Sequence, residues 1–174
     1  MCQNKETSII GFVAYSGTGK TSLLEKLIPL FIQNQISISL IKHAHHNFDI
    51  DQPEKDSYRL RKAGAVETIV ASKNRWALIH ENNNDKSEPN LWELTDKLDQ
   101  SAIDLILVEG FKHEAYPKIE LVRGIEAANH VTQDQHTIAI ATDDKSGIQT
   151  TLPLLDINNP NEICDFILEF IDKK

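Results

Sequence analysis

The sequence predicts an α/β fold, a mostly parallel sheet flanked by helices with an additional β-hairpin. Three observations carry that expectation. Residues 7–14 (TSIIGFVA) form a short apolar run with β-formers, long enough for a buried strand and too short for a helix. After a Gly-rich turn at residues 15–19, Leu23, Leu24, Leu27, Ile28 and Phe31 recur at helical spacing. Residues 36–42 (ISISLIK) alternate and then become continuous, the pattern of a second strand. Strand, helix and strand in that order imply a parallel βαβ unit with a right-handed crossover.

The remaining elements follow in order. Pro29 lies inside the first helix, where it removes a hydrogen bond, so a kinked but continuing helix is expected. Residues 56–63 read as a short helix ended by Gly64. Residues 67–72 and 76–80 read as two strands joined by a turn at Lys73 and Asn74, which is the expected hairpin. Residues 81–88 (ENNNDKSE) are a solvated loop. Ser87 is the expected cap of a helix with Pro89 near its start and Leu91, Leu94 and Leu98 on one face. Residues 104–109 (DLILVE) form a buried strand, and residues 118–122 and 137–141 are two further strand candidates. Asn159-Pro160-Asn161-Glu162 is a capped helix start, followed by Ile163, Phe166, Ile167, Phe170 and Ile171 on one face. That last helix is expected to cover one face of the sheet. No repeat is present, and residues 1–174 read as a single domain.

Composition narrows the function. Twenty-six acids against eighteen Lys and Arg give a net charge of -8, which excludes a non-specific nucleic-acid binder because such binding runs on cation excess. Cys2 and Cys164 are the two cysteines of the chain, so no disulfide scaffold or CxxC motif exists and a reducing, cytoplasmic location is expected. No membrane-length apolar stretch occurs, and the amino end carries no signal-like run.

One motif lifts the chain above an acidic globular domain. Ala14-Tyr15-Ser16-Gly17-Thr18-Gly19-Lys20-Thr21 fits a phosphate-binding P-loop, with alanine in place of the first glycine. Glycines let the backbone turn so that successive N–H groups face phosphate oxygens. Lys20 supplies a charge for the terminal phosphates, Thr21 offers a hydroxyl to Mg²⁺, and the helix start faces the same anion. The nucleotide site is therefore assigned to Ser16, Gly17, Thr18, Gly19, Lys20, Thr21 and Ser22. A strand before the motif and an amphipathic helix after it are the context that this chemistry requires.

A P-loop protein also needs an acid on the Mg²⁺ side. Glu109 emerges at the carboxyl end of the 104–109 strand, the edge where ligands sit in open α/β sheets. Asp104 lies at the other end and reads as structural. A guanine-specifying Asn-Lys-x-Asp pattern is absent. Thr142-Asp143-Asp144-Lys145 follows a strand, and Asp143 is a candidate for a base amino group, although a plain surface turn fits the same residues. ATP and GTP are not separated at this level.

Residues 42–51 (KHAHHNFDID) follow the second strand. Their histidines and aspartates suit a transition-metal site, an anionic substrate met by Lys42, His43, His45 and His46, or a loop that brings Asp49 or Asp51 to Mg²⁺; a ligand-free polar loop fits as well. Arg59, with Lys55, Arg61 and Lys62, adds cations for a phosphate-bearing substrate, and solvation of a helix surface explains them equally.

Taken together, AYSGTGKT, IKHAHHNFDID, KDSYRLRKAGA and LILVEGFK with PKIELVR resemble the molybdopterin-guanine dinucleotide biosynthesis protein B (MobB) family over about residues 8–145. The resemblance implies a P-loop NTPase-like, dimeric protein that binds GTP with Mg²⁺ and hydrolyses it slowly at most. It implies an adapter to the guanylyltransferase MobA, which attaches GMP to molybdopterin. By position, Glu109 would lie on the Mg²⁺ side, and Arg59 and Lys112 would meet phosphate or pterin. Two other classes use the same fold: a metallochaperone GTPase with His43, His45 and His46 as ligands, and a small-molecule kinase with Asp49 as base. No strong general base is evident, in keeping with slow hydrolysis.

Overall fold

A computed structural model describes residues 7–44, 48–82, 88–124, 131 and 134–173. Within it the chain divides into two compact units, Met1–His43 with Asn90–Lys174, and Ala44–Pro89.

The larger unit is built on β1 (Ser8–Ala14), β2 (Ile38–Lys42), β5 (Leu105–Glu109), β6 (Lys118–Val122), β7 (Thr137–Thr142) and β8 (Leu154–Asp156). They form one sheet in the order β2-β5-β1-β6-β7-β8, and every neighbouring pair is parallel. Parallel strands need crossovers, and these bring helices onto the faces. On one face, α1 (Lys20–Gln33) contributes Leu23, Leu24, Leu27 and Phe31 and α4 (Pro160–Asp172) contributes Ile163, Cys164, Ile167 and Ile171 to a core with Ile10, Phe12, Leu105 and Leu107. On the other face, Leu91 of α3 (Leu91–Thr95) packs with Ile41, Ile106, Val108, Phe111 and Tyr116. This explains the unbroken LILV of β5, since its alternate side chains enter opposite cores.

Local chemistry accounts for the helix ends. α1 runs through Pro29; Pro29 and Glu25, whose carbonyl loses its partner, both lie on the exposed side. α1 closes with Gln35 at φ 61°. The Gln35 amide donates to Ile32 O and the Ile36 amide to Phe31 O, both at 3.0 Å, which satisfies two end carbonyls. The Asn159 side chain accepts from the Glu162 amide at the start of α4, with Pro160 in the first position. α3 is shorter than its apolar spacing implies, and its cap is Asn90, whose Oδ1 accepts from the Trp92 and Glu93 amides. Ser87, the expected cap, lies outside the described residues. After Thr95 the chain tightens: the Leu98 amide and the Gln100 side chain both donate to the Thr95 carbonyl, at 3.1 Å. Leu98 therefore sits beyond the helix.

The smaller unit holds α2 (Asp56–Lys62) and an antiparallel pair, β3 (Glu67–Ala71) and β4 (Trp76–His80). The Ser72 amide donates to Arg75 O at 2.8 Å and the Ser72 hydroxyl oxygen accepts from the Asn74 and Arg75 amides, which closes the expected turn. Arg61 of α2 is buried and pairs with Asp49 and Glu81, tying the chain on both sides of the hairpin to the helix. The Glu81 bond, above all, holds its guanidinium above the ordinary value. Apolar packing is sparse by comparison, and Ile69, Trp76 and Leu78, which share one face of the hairpin by register, are exposed.

Candidate functional site

The P-loop joins β1 to α1. Gly17 and Gly19 have φ of 83° and 92°, and a Cβ on either would meet nothing within 4 Å. Glycine is required there for backbone conformation rather than for space. The Thr18 hydroxyl donates to Tyr15 O at 2.8 Å and the Thr18 amide reaches the same oxygen at 3.4 Å, which folds the turn on itself. Gly19 caps α1 and no side chain caps the helix. The first-turn amides of α1 are thus left to an anion, the donor set that a polyphosphate needs. Ser16, Thr21 and Ser22 are exposed and Lys20 half-buried at the same helix start.

Parallel pairing places the other expected residues along one edge. β2 and β5 are in register at Lys42 and Glu109, and the Lys42 ammonium meets both Glu109 oxygens at 3.1 and 3.2 Å. Glu109 is the more buried partner, its side chain 12% exposed against 54% for Lys42. The His43 amide donates to Glu109 O at 2.8 Å, and the His43 ring stacks on Phe111 at 4.7 Å. Gly110 stands between them on two grounds: its φ is 99°, and a Cβ would approach that of His43 to 2.7 Å. Asp104 at the far end accepts from the Ser37 amide and hydroxyl, a structural tie as expected.

On the other side of β1 the exits of β6 and β7 meet the P-loop. Arg123 donates to Thr18 O at 3.2 Å and to Asn158 Oδ1 at 3.0 Å, and lies 3.6 Å from Asp143. Asp143 also accepts from the Gly124 amide at 2.9 Å. Sequence reasoning missed Arg123 as a site residue; it was part of the quoted PKIELVR, but its contact lies 105 residues away. Lys112 is exposed in the loop after β5.

The smaller unit holds the remaining candidates. Asp49 pairs with Arg61 at 2.5 Å, Asp51 accepts from the Ser57 hydroxyl at 3.0 Å, and Arg59 pairs with Asp56 at 3.7 Å. His45 and His46 lie outside the described residues. Among the described residues no group of three or more His, Cys, Asp or Glu converges as a metal shell, and no helix is long and apolar enough to cross a membrane.

Known proteins resemble this chain in sequence and in fold. The chain is 48% identical over 170 residues to the "Molybdopterin-guanine dinucleotide biosynthesis adapter protein" of Escherichia coli (strain K12), covering 95% of this chain and 94% of that one. It is 43% identical over 164 residues to the protein so named from Haemophilus influenzae, covering 94% and 89%. In fold it matches the MobB protein homolog from Bacillus stearothermophilus with a TM-score of 0.73 at 20% identity, covering 95% and 99%. It matches Bacillus subtilis MobB equally, with a TM-score of 0.73 at 24% identity, covering 93% and 96%. The family model for molybdopterin guanine dinucleotide synthesis protein B matches residues 9–143. The chain belongs to the MobB family.

Proposed function

We propose that the chain is a GTP-binding adapter in molybdopterin guanine dinucleotide synthesis, acting in the cytoplasm with a MobA-like guanylyltransferase. The observation that carries this reading is the uncapped start of α1 behind two left-handed glycines, within a chain 48% identical to a named adapter. Lys20 and the first-turn amides bind the phosphates, and the Thr21 hydroxyl supplies a ligand for Mg²⁺, which neutralises phosphate charge when bound. Glu109, which pairs with Lys42, would take the Mg²⁺ side. In this reading the bound GTP is hydrolysed slowly at most, in keeping with a sequence in which no strong general base is evident.

The adapter acts as a homodimer in this reading. A two-stranded hairpin is marginal alone, and the Ile69, Trp76 and Leu78 face suits a second copy of itself.

Calorimetric titration and affinity capture test the proposal together. GTP with Mg²⁺ should bind in preference to ATP, Lys20→Ala should weaken it on the order of 30-fold or more, as loss of a charged hydrogen bond implies, and the guanylyltransferase should be captured. Preference for ATP with no capture of that enzyme would sink it.

A further inference from the structure

Arg123 follows β6 and reaches the P-loop, where its Nε donates to Thr18 O at 3.2 Å. Its other contacts come from two further connections of the same unit. Nη1 donates to Asn158 Oδ1 at 3.0 Å, between β8 and α4, and lies 3.6 Å from Asp143 Oδ2, just after β7. These partners are themselves fixed. The Asn158 amide donates to Asp156 Oδ1 at 2.8 Å, and Asp143 Oδ1 accepts from the Gly124 amide at 2.9 Å. The planar guanidinium is thus held at its tip while Nε grips the backbone of the phosphate loop.

That grip acts on one particular peptide. Thr18 directs its amide and its hydroxyl to Tyr15 O, whereas its carbonyl belongs to the peptide that leads into Gly19. Across a trans peptide, C=O and N–H point in opposite directions. Holding the Thr18 carbonyl toward Arg123 therefore turns the Gly19 N–H away from it. Turning this peptide over changes mainly the ψ of Thr18 and the φ of Gly19, and Gly19, at φ 92°, has no Cβ to resist the change. In the turned-over state a carbonyl oxygen would replace the N–H, an acceptor where a phosphate needs a donor. The local sequence leaves both orientations open, and the Arg123 bond favours one of them.

We propose that Arg123 is a positioning residue of the nucleotide site, which presets the Thr18–Gly19 peptide so that the Gly19 N–H is presented to a polyphosphate before nucleotide arrives. Its charge is opposed by Asp143, so it acts through the carbonyl it holds rather than by attracting phosphate. A loop shaped in advance binds without the cost of ordering itself. The inference rests on the reading of this loop as a polyphosphate site and adds the residue that sets its shape.

Calorimetric titration of the full chain with GTP and Mg²⁺, together with amide spectra of the isotope-labelled, ligand-free protein, tests it. Arg123→Ala should weaken GTP about tenfold, the loss of one charge-assisted hydrogen bond. The penalty should be equal at low and high salt, because it is not a screened attraction. In the ligand-free variant the Gly19 amide resonance should shift or split while those of β5 stay in place. Asn158→Ala, an exposed change that removes only the support at the tip of the guanidinium, should weaken GTP about threefold and should add nothing to Arg123→Ala. If Arg123→Ala disturbs folding, the affinity and the Gly19 resonance of Asn158→Ala decide the matter. Unchanged GTP affinity in both variants overturns the inference, as does a penalty that vanishes in high salt or a Gly19 resonance that does not move. A wild-type chain that binds no nucleoside triphosphate sinks the broader reading and this one with it, whereas a wild type that binds GTP no better than Arg123→Ala sinks this one alone.

Discussion

The two units treat apolar residues in opposite ways. In the sheet unit, Ile10, Phe12, Leu105, Leu107, Ile119 and Leu121 are fully buried between helices. In the hairpin unit, Ile69 and Trp76 are 66% and 69% exposed and the one buried side chain of α2 is an arginine. The first is stabilised by packing on two faces. The second is held by local hydrogen bonds and by Arg61 between Asp49 and Glu81. A unit organised in this way folds its backbone without using up its apolar surface, which is then available for association.

Substitutions that separate packing from pairing test this contrast. The largest effect is expected for Phe12→Ala, which should cost about 4 kcal/mol in urea denaturation; a loss below about 1 kcal/mol would break the contrast at its stronger end. Asp134→Asn comes next, at about 3 kcal/mol, because it leaves the Lys118 ammonium buried without its charge partner. Burial pushes the Asp134 carboxyl up, but the Lys118 bond, the His136 amide and the Lys118 charge together hold it below its ordinary value. The stabilisation of a depressed carboxylate is complete above its unfolded value, about 3.9, and is lost as pH falls through the folded one. Acid titration of wild type should therefore show a loss of stability below about pH 4 that Asp134→Asn lacks.

Arg61→Ala should cost about 2 kcal/mol within the hairpin unit. Amide exchange should rise at residues 48–51 and 81–82 and stay unchanged across β1, β5 and β6. The smallest effect on folding is expected for Trp76→Ser, under about 0.5 kcal/mol for an exposed side chain. Sedimentation should nevertheless show weaker self-association. A large loss of monomer stability with unaltered association would reverse the roles given to the two units.

Much of the fold was legible because its signals are local. β4 and β6 have the bounds that their runs imply, and Pro160 with Asn159 marks the start of α4. β8 was missed: three residues, Leu154–Asp156, after a proline carry no periodicity. They become a strand because β7 offers an open edge, with Ile140, Ala141 and Thr142 as register partners. The cap at Asn90 was missed because two good cap residues stood near the same proline. The fold class itself, a mostly parallel sheet with helices and a separate hairpin, is as expected.

The sequence by itself determined the chemistry that depends on neighbours in the chain. A phosphate loop is a run of backbone conformations, so Gly17, Gly19, Lys20 and Thr21 announce it without help from elsewhere. Only the tertiary structure decided which distant side chains meet around the sheet. Lys42 meets Glu109, Arg123 holds Thr18, and Lys118 joins Lys112 to Asp134. Each of these contacts is set by strand order and register, which bring together side chains that no spacing along the chain relates.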